Sequence, residues 1–134
     1  VLPVAGTVTL LLTGCIGVAA NELPRQPFFR IETANWLAEH LPAGSPVMTR
    51  NTETTLYAGL PMVAFPNAAW PQVEAYGQAR GARYLVVEEK EIREIRPDLA
   101  ALVEPNAPNL PPGVILRERI NAGGRSVFVY EFVR

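Results

Sequence analysis

Few residues in this 134-residue chain have the type and spacing to do chemistry. It holds one His, His40, and one Cys, Cys15. A single imidazole removes most metal and triad chemistry that needs two. A single thiol excludes an internal disulfide framework and any Cys-based zinc site. Gly77, Gly81 and Gly123-Gly124 match neither nucleotide-phosphate pattern, and no Gly-x-Gly follows an expected strand. No cofactor, metal or catalytic residue is therefore expected.

Three groups remain as candidates. Glu88-Glu89-Lys90-Glu91 pairs carboxylates in a way that acid–base work could use. The simpler reading is a solvated strand-to-helix turn with acids in the first helical turn, where they complement the macrodipole. His40, beside Leu41 and Pro42, reads as a partner for a helix C-terminus rather than a catalyst. Arg50-Asn51 falls just past the end of an expected strand, at the mouth of the next helix. Ligands dock at that edge in open α/β sheets, and an Arg beside helix N-terminal amides suits an anion such as phosphate. The competing reading pairs Arg50 with a nearby acid and leaves Asn51 as a cap. Tyr57 follows on the same helix, so the candidate ligand-binding residues are Arg50, Asn51 and Tyr57.

The elements that must position these residues can be read from periodicity and punctuation. Phe29, Thr33, Trp36, Leu37 and Leu41 fall at helical spacing, which predicts an amphipathic helix over Phe28–Leu41. Pro42-Ala43-Gly44-Ser45-Pro46 stops it, and Val47-Met48-Thr49 follows as a short strand. Asn51 can cap a helix over Thr52–Ala58, closed by Gly59 in the left-handed conformation. Met62-Val63-Ala64-Phe65 is a second strand, and Pro71 suits the first position of the helix that ends at Gly81. Tyr84-Leu85-Val86-Val87 reads as a strand buried on both faces. Ile92, Ile95, Leu99 and Leu102 predict a helix bent or restarted at Pro97. After a Pro-rich loop over Asn106–Gly113, Val114–Ile120 and Val127–Val133 alternate about Asn121-Ala122-Gly123-Gly124, a hairpin signature. The fold expected for residues 28–134 is α/β: a small, mostly parallel sheet with flanking helices and a C-terminal antiparallel hairpin.

Ahead of it stands a different kind of segment. Val1 to Asn21 carries no charge, and about 20 apolar residues at 1.5 Å rise match the roughly 30 Å hydrocarbon core of a bilayer. Gly6, Gly14 and Gly17 among Thr7, Thr9 and Thr13 suit a helix packed on other helices. Val1–Ala20 is thus expected to be a transmembrane helix, the last of a longer protein, with 21–27 as a polar connector. A second reading takes Leu12-Thr13-Gly14-Cys15 as a lipobox whose Cys is lipidated, although the chain stays apolar through Ala20. Arg25 and Arg30 lie where basic residues favour the cytoplasmic side, but that rule compares two flanks and only one is in hand. With net charge −1 and a pI near 5.9 there is no basic stripe for nucleic acid.

The order of several pieces resembles a family. Ala34-Asn35-Trp36-Leu37-Ala38-Glu39-His40-Leu41-Pro42-Ala43-Gly44 with Val47-Met48-Thr49-Arg50, then Tyr57-Ala58-Gly59-Leu60-Pro61, then Gly81-Ala82-Arg83-Tyr84-Leu85-Val86-Val87-Glu88, resembles the C-terminal region of bacterial GT-C-type membrane glycosyltransferases. These are the protein mannosyltransferase-like and aminoarabinose transferase-like enzymes. The resemblance covers about Phe28–Val103 plus the apolar lead-in. It implies a multi-spanning parent that transfers a sugar from a polyprenyl-phosphate carrier, with this domain as its extracytoplasmic cap. The implied partners are the membrane and a lipid-linked sugar donor held by the part not present here. In that family the catalytic acid lies in an early loop between membrane helices, so no catalytic residue carries over to a position in this chain. The alternative class is a lipid- or helix-anchored extracytoplasmic binding module that is not an enzyme.

Overall fold

The computed structural model describes residues 28–104 and 106–134. The expected membrane helix over Val1–Ala20, the Leu12–Cys15 motif within it and the connector 21–27 lie outside the described residues. Among the described residues no helix is long and apolar enough to cross a membrane.

The chain alternates helices and strands: α1 (Phe28–His40), β1 (Val47–Thr49), α2 (Thr52–Ala58), β2 (Met62–Ala64), α3 (Trp70–Ala79), β3 (Tyr84–Glu88) and α4 (Glu89–Ile95). A 3₁₀ segment at Pro97–Val103 and the hairpin strands β4 (Val114–Ala122) and β5 (Arg125–Phe132) complete it. The five strands form one sheet in the order β2-β1-β3-β5-β4. β1 runs parallel to both β2 and β3, whereas β5 is antiparallel to β3 and to β4. The sheet is mixed, with a parallel half and an antiparallel half.

Strand alternation sends neighbouring side chains to opposite faces, and each face has its own core. Met48, Leu85, Val87, Phe128 and Tyr130 pack against Trp70 and Val73 of α3, Ile92 of α4 and Leu99 and Leu102 of the 3₁₀ segment. Val47, Tyr84, Val86, Val127 and Val129 pack against Leu37 and the nearby Leu41 from the α1 side, with Ala58 and Leu60 alongside. Gly77 lets α3 approach the sheet, since a Cβ there would stand 2.9 Å from Met48 Cε.

The path of the chain creates a reversal point. From β1 it goes through α2 to β2 on one side, then back through α3 to β3 on the other. The carboxyl ends of β1 and β3 therefore sit side by side at a switch point, where crevices form in sheets of this kind. Arg50 and Asn51 leave one strand there, and Glu88 to Glu91 leave the other.

Several local expectations shift by a residue or change partner. Pro71 occupies the second helical position, because Trp70 opens α3. Helix α3 ends at Ala79, with Arg80 as its C-cap and Gly81 at φ +71° just beyond. Phe65 lies past the end of β2 but still donates its N–H to Thr49 O at 3.3 Å. The hairpin turns on Gly123 and Gly124, both at positive φ (56° and 73°), as a two-residue turn with left-handed residues requires.

Candidate functional site

The switch-point edge is dense in charge, and its side chains are bonded to one another. Arg50 Nε donates to Glu91 Oε1 at 2.7 Å, and Asn51 Nδ2 donates to Glu91 Oε2 at 3.0 Å. One carboxylate thus takes both residues that the sequence offered to an external anion. Asn51 stands at the N-cap position of α2, but its side chain makes no capping bond because it is turned to Glu91. The seven-residue α2 closes instead at Gly59, φ 70°, whose N–H reaches the carbonyls of Leu56 and Thr55. Tyr57 sits near that far end of α2, 51% exposed, away from the Arg50–Asn51–Glu91 cluster.

Glu88 is not the solvated turn residue that the sequence suggests. It is 5% exposed and caps α4: Oε1 accepts from Lys90 N–H at 3.2 Å, and Oε2 accepts from Glu91 N–H at 2.8 Å. Arg125, from the start of β5, donates to the same carboxylate at 3.3 Å. A buried carboxylate is tolerable when its lone pairs are filled in this way. Glu88 and Glu91 thus occupy the two ends of a capping-box pattern, but Glu91 reaches across to β1 rather than back to its own helix.

The remaining cations of this edge follow the same rule. Arg30, near the start of α1, pairs with Glu53 at 2.9 Å; Lys90 pairs with Glu94 at 3.9 Å. Arg93 bonds Glu104 and Glu89, and both raise its already high pKa, Glu104 more strongly. Two adjoining cavities, about 320 and 420 Å³, open here and share Glu88, Lys90, Glu94 and Arg125 as walls. Pairs of this partly exposed kind contribute only about 0–1 kcal/mol each, so they fix geometry more than stability. Beyond them, Arg96 is 4% exposed and grips Asp98 through two bonds of 3.1 and 2.9 Å. It also donates to the carbonyls of Pro66 and Ala68, tying the β2–α3 loop to the end of α4. Its guanidinium holds the Asp98 carboxyl below the usual range.

His40 is placed as the sequence suggests, in the last turn of α1. Its ring stacks on Trp36 at 4.4 Å, and Nδ1 lies 2.8 Å from Trp36 O, a bond that needs the proton on Nδ1. Among the described residues no group of three or more His, Cys, Asp or Glu side chains could hold a metal ion. No family model, curated protein or solved structure matches this chain.

The sequence brought Arg50 and Asn51 forward but not the residue that binds them. Glu91 lies 40 and 41 positions away, and only the adjacency of β1 and β3 joins them. The usable signal was the acid at the third position of a helix that follows a buried strand.

Proposed function

We infer that the domain is the non-catalytic, extracytoplasmic cap of a membrane glycosyltransferase that takes its sugar from a polyprenyl-phosphate carrier. The ordered resemblance over Phe28–Val103 supports this reading. The observation that carries it is the place where the domain begins. Helix α1 starts at Phe28, and Arg30 in its first turn reaches Glu53 of α2, so α1 begins at the switch-point edge. A seven-residue connector spans at most about 25 Å. A membrane helix ending at Ala20 would therefore hold this edge close to the bilayer, above the membrane-embedded chemistry. There the ion pairs act as a brace that keeps α1, α2, α4 and the hairpin in one geometry.

The test is removal of residues 28–134 from the full-length protein, with sugar transfer from a polyprenyl-phosphate donor measured in membranes. The expected result is a fall in transfer while the membrane part still inserts. Undiminished transfer at equal expression contradicts the reading. The coding sequence upstream of Val1 gives an independent check. An open frame through further apolar helices supports the cap. A Met and a Lys/Arg-rich stretch within about 10–20 codons would instead make this a lipid- or helix-anchored module.

A further inference from the structure

The opposite edge of the sheet, where β3 begins and β5 ends, is built on another principle. A cavity of about 470 Å³ opens there, and three arginines, Arg83, Arg117 and Arg134, line it with a single carboxylate, Glu131. Counting the side chains that line it, three positive charges face one negative charge; Glu74 stands with Arg134 on the adjoining cavity and adds a second carboxylate, so positive charge is still in excess.

The three guanidiniums are held to different degrees. Arg117 is bonded to Glu131 through Nε and Nη2. Arg134 Nη2 donates to Ala82 O at 2.6 Å and to Gly77 O at 3.4 Å, at the carbonyl end of α3, which fixes the head group. Arg83 is exposed and makes no side-chain hydrogen bond or ion pair among the described residues; its guanidinium lies 5.8 Å from the Tyr84 ring centre. Two arginines are thus set in place before a ligand arrives, and the third is free to close on it. That arrangement lowers the ordering cost of binding. Two apolar side chains stand exposed on the same walls, Ile115 at 47% and Val133 at 51%.

We propose that this groove binds a phosphate monoester, its dianionic head between Arg83, Arg117 and Arg134 and its organic part against Ile115 and Val133. Donor geometry and charge select the class. A phosphate monoester carries about −1.5 to −2 at neutral pH and presents three acceptor oxygens to the three guanidiniums of a groove with positive charge in excess. A carboxylate brings less charge and only two oxygens. Guanidinium forks also suit phosphate geometry better than ammonium groups do.

The full chain in neutral detergent would be titrated calorimetrically with phenyl phosphate, inorganic phosphate and benzoate. The expected order of affinity is phenyl phosphate, then inorganic phosphate, then benzoate. Arg83→Gln removes a guanidinium that makes no hydrogen bond or ion pair among the described residues, so folding is spared while phenyl phosphate binding weakens about tenfold or more. Glu131→Gln removes the competing carboxylate and is expected to tighten binding. Arg50→Gln, at the other edge, is expected to leave it unchanged. Absence of phenyl phosphate binding to the wild-type chain, equal binding of benzoate, or equal binding by Arg83→Gln would each overturn the proposal. None of these outcomes depends on whether the domain caps a glycosyltransferase.

Discussion

The two ends of the sheet carry similar numbers of arginines and treat them in opposite ways. At the switch-point edge Arg30, Arg50, Lys90, Arg93 and Arg125 each meet a carboxylate. At the far edge Arg83 and Arg134 make no ion pair among the described residues, and Arg117 takes Glu131. Position in the topology explains the difference. The switch-point edge is where helices α2 and α4 start, and first-turn acids gather there because they complement the helix dipole. The far edge is where α3 ends and β3 begins, and it receives no such acids. A fold can thus place its crevice at one edge, pair the charges there among its own side chains, and leave an excess of positive charge at the other.

The largest expected effect of breaking this contrast comes from Arg96. Arg96→Ala strips donors from the carbonyls of Pro66 and Ala68 and from Asp98, and should cost about 2–4 kcal/mol in urea denaturation. A loss below about 0.5 kcal/mol would show that the loop is held some other way. Glu91→Gln sharpens the comparison more directly. It releases Arg50 and Asn51 from their shared carboxylate at a cost of about 1 kcal/mol, and the switch-point edge should then acquire weak phosphate binding. If that edge stays inert with Arg50 released, charge compensation is not what closes it.

Tyr130 tests the core that joins the two ends. Its hydroxyl donates to Leu102 O at 2.6 Å, and burial pushes its pKa up to about 12. Tyr130→Phe should cost about 1 kcal/mol. The raised pKa makes the folded state the poorer acid, so this contribution is complete below about pH 10. It is lost as pH rises from about 10 towards 12, and Tyr130→Phe should flatten that part of the alkaline limb. The smallest effect belongs to Asp98. Its depressed pKa, caused first by the hydrogen bonds from Arg96, gives stability that is present above the ordinary carboxyl range and lost as pH falls through and below it. Asp98→Asn should remove a small part of the acid limb, reduced by the exposure of its carboxyl. An unchanged acid limb would discount that pair.

Local signals explain why so much of the fold was legible. The limits of β1 and α2, the break at Pro97, the two-sided burial of β3 and the Gly-Gly turn all follow from apolar runs and punctuation within about ten residues. The long-range partners were not legible, because Glu91 on Arg50, Arg125 on Glu88 and Arg96 on the β2–α3 loop are brought together only by strand order. The far groove was hidden for a sharper reason. Counting back from the turn opposes Arg117 to Tyr130, but a bulge between Leu116 and Glu118 breaks the register, and Tyr130 faces Leu116 instead. Arg117 is the extra residue of that bulge, and it is free to reach Glu131. No periodicity rule places it there.

The contrast between the edges can be read in one experiment. The arginine side-chain Nε–H resonances of the full chain in detergent would be followed by NMR during a phenyl phosphate titration. Saturable shifts are expected at Arg83, Arg117 and Arg134, while Arg50, Arg93, Arg96 and Arg125 stay still. Shifts centred on Arg50, or shifts spread evenly over both sets, would contradict it.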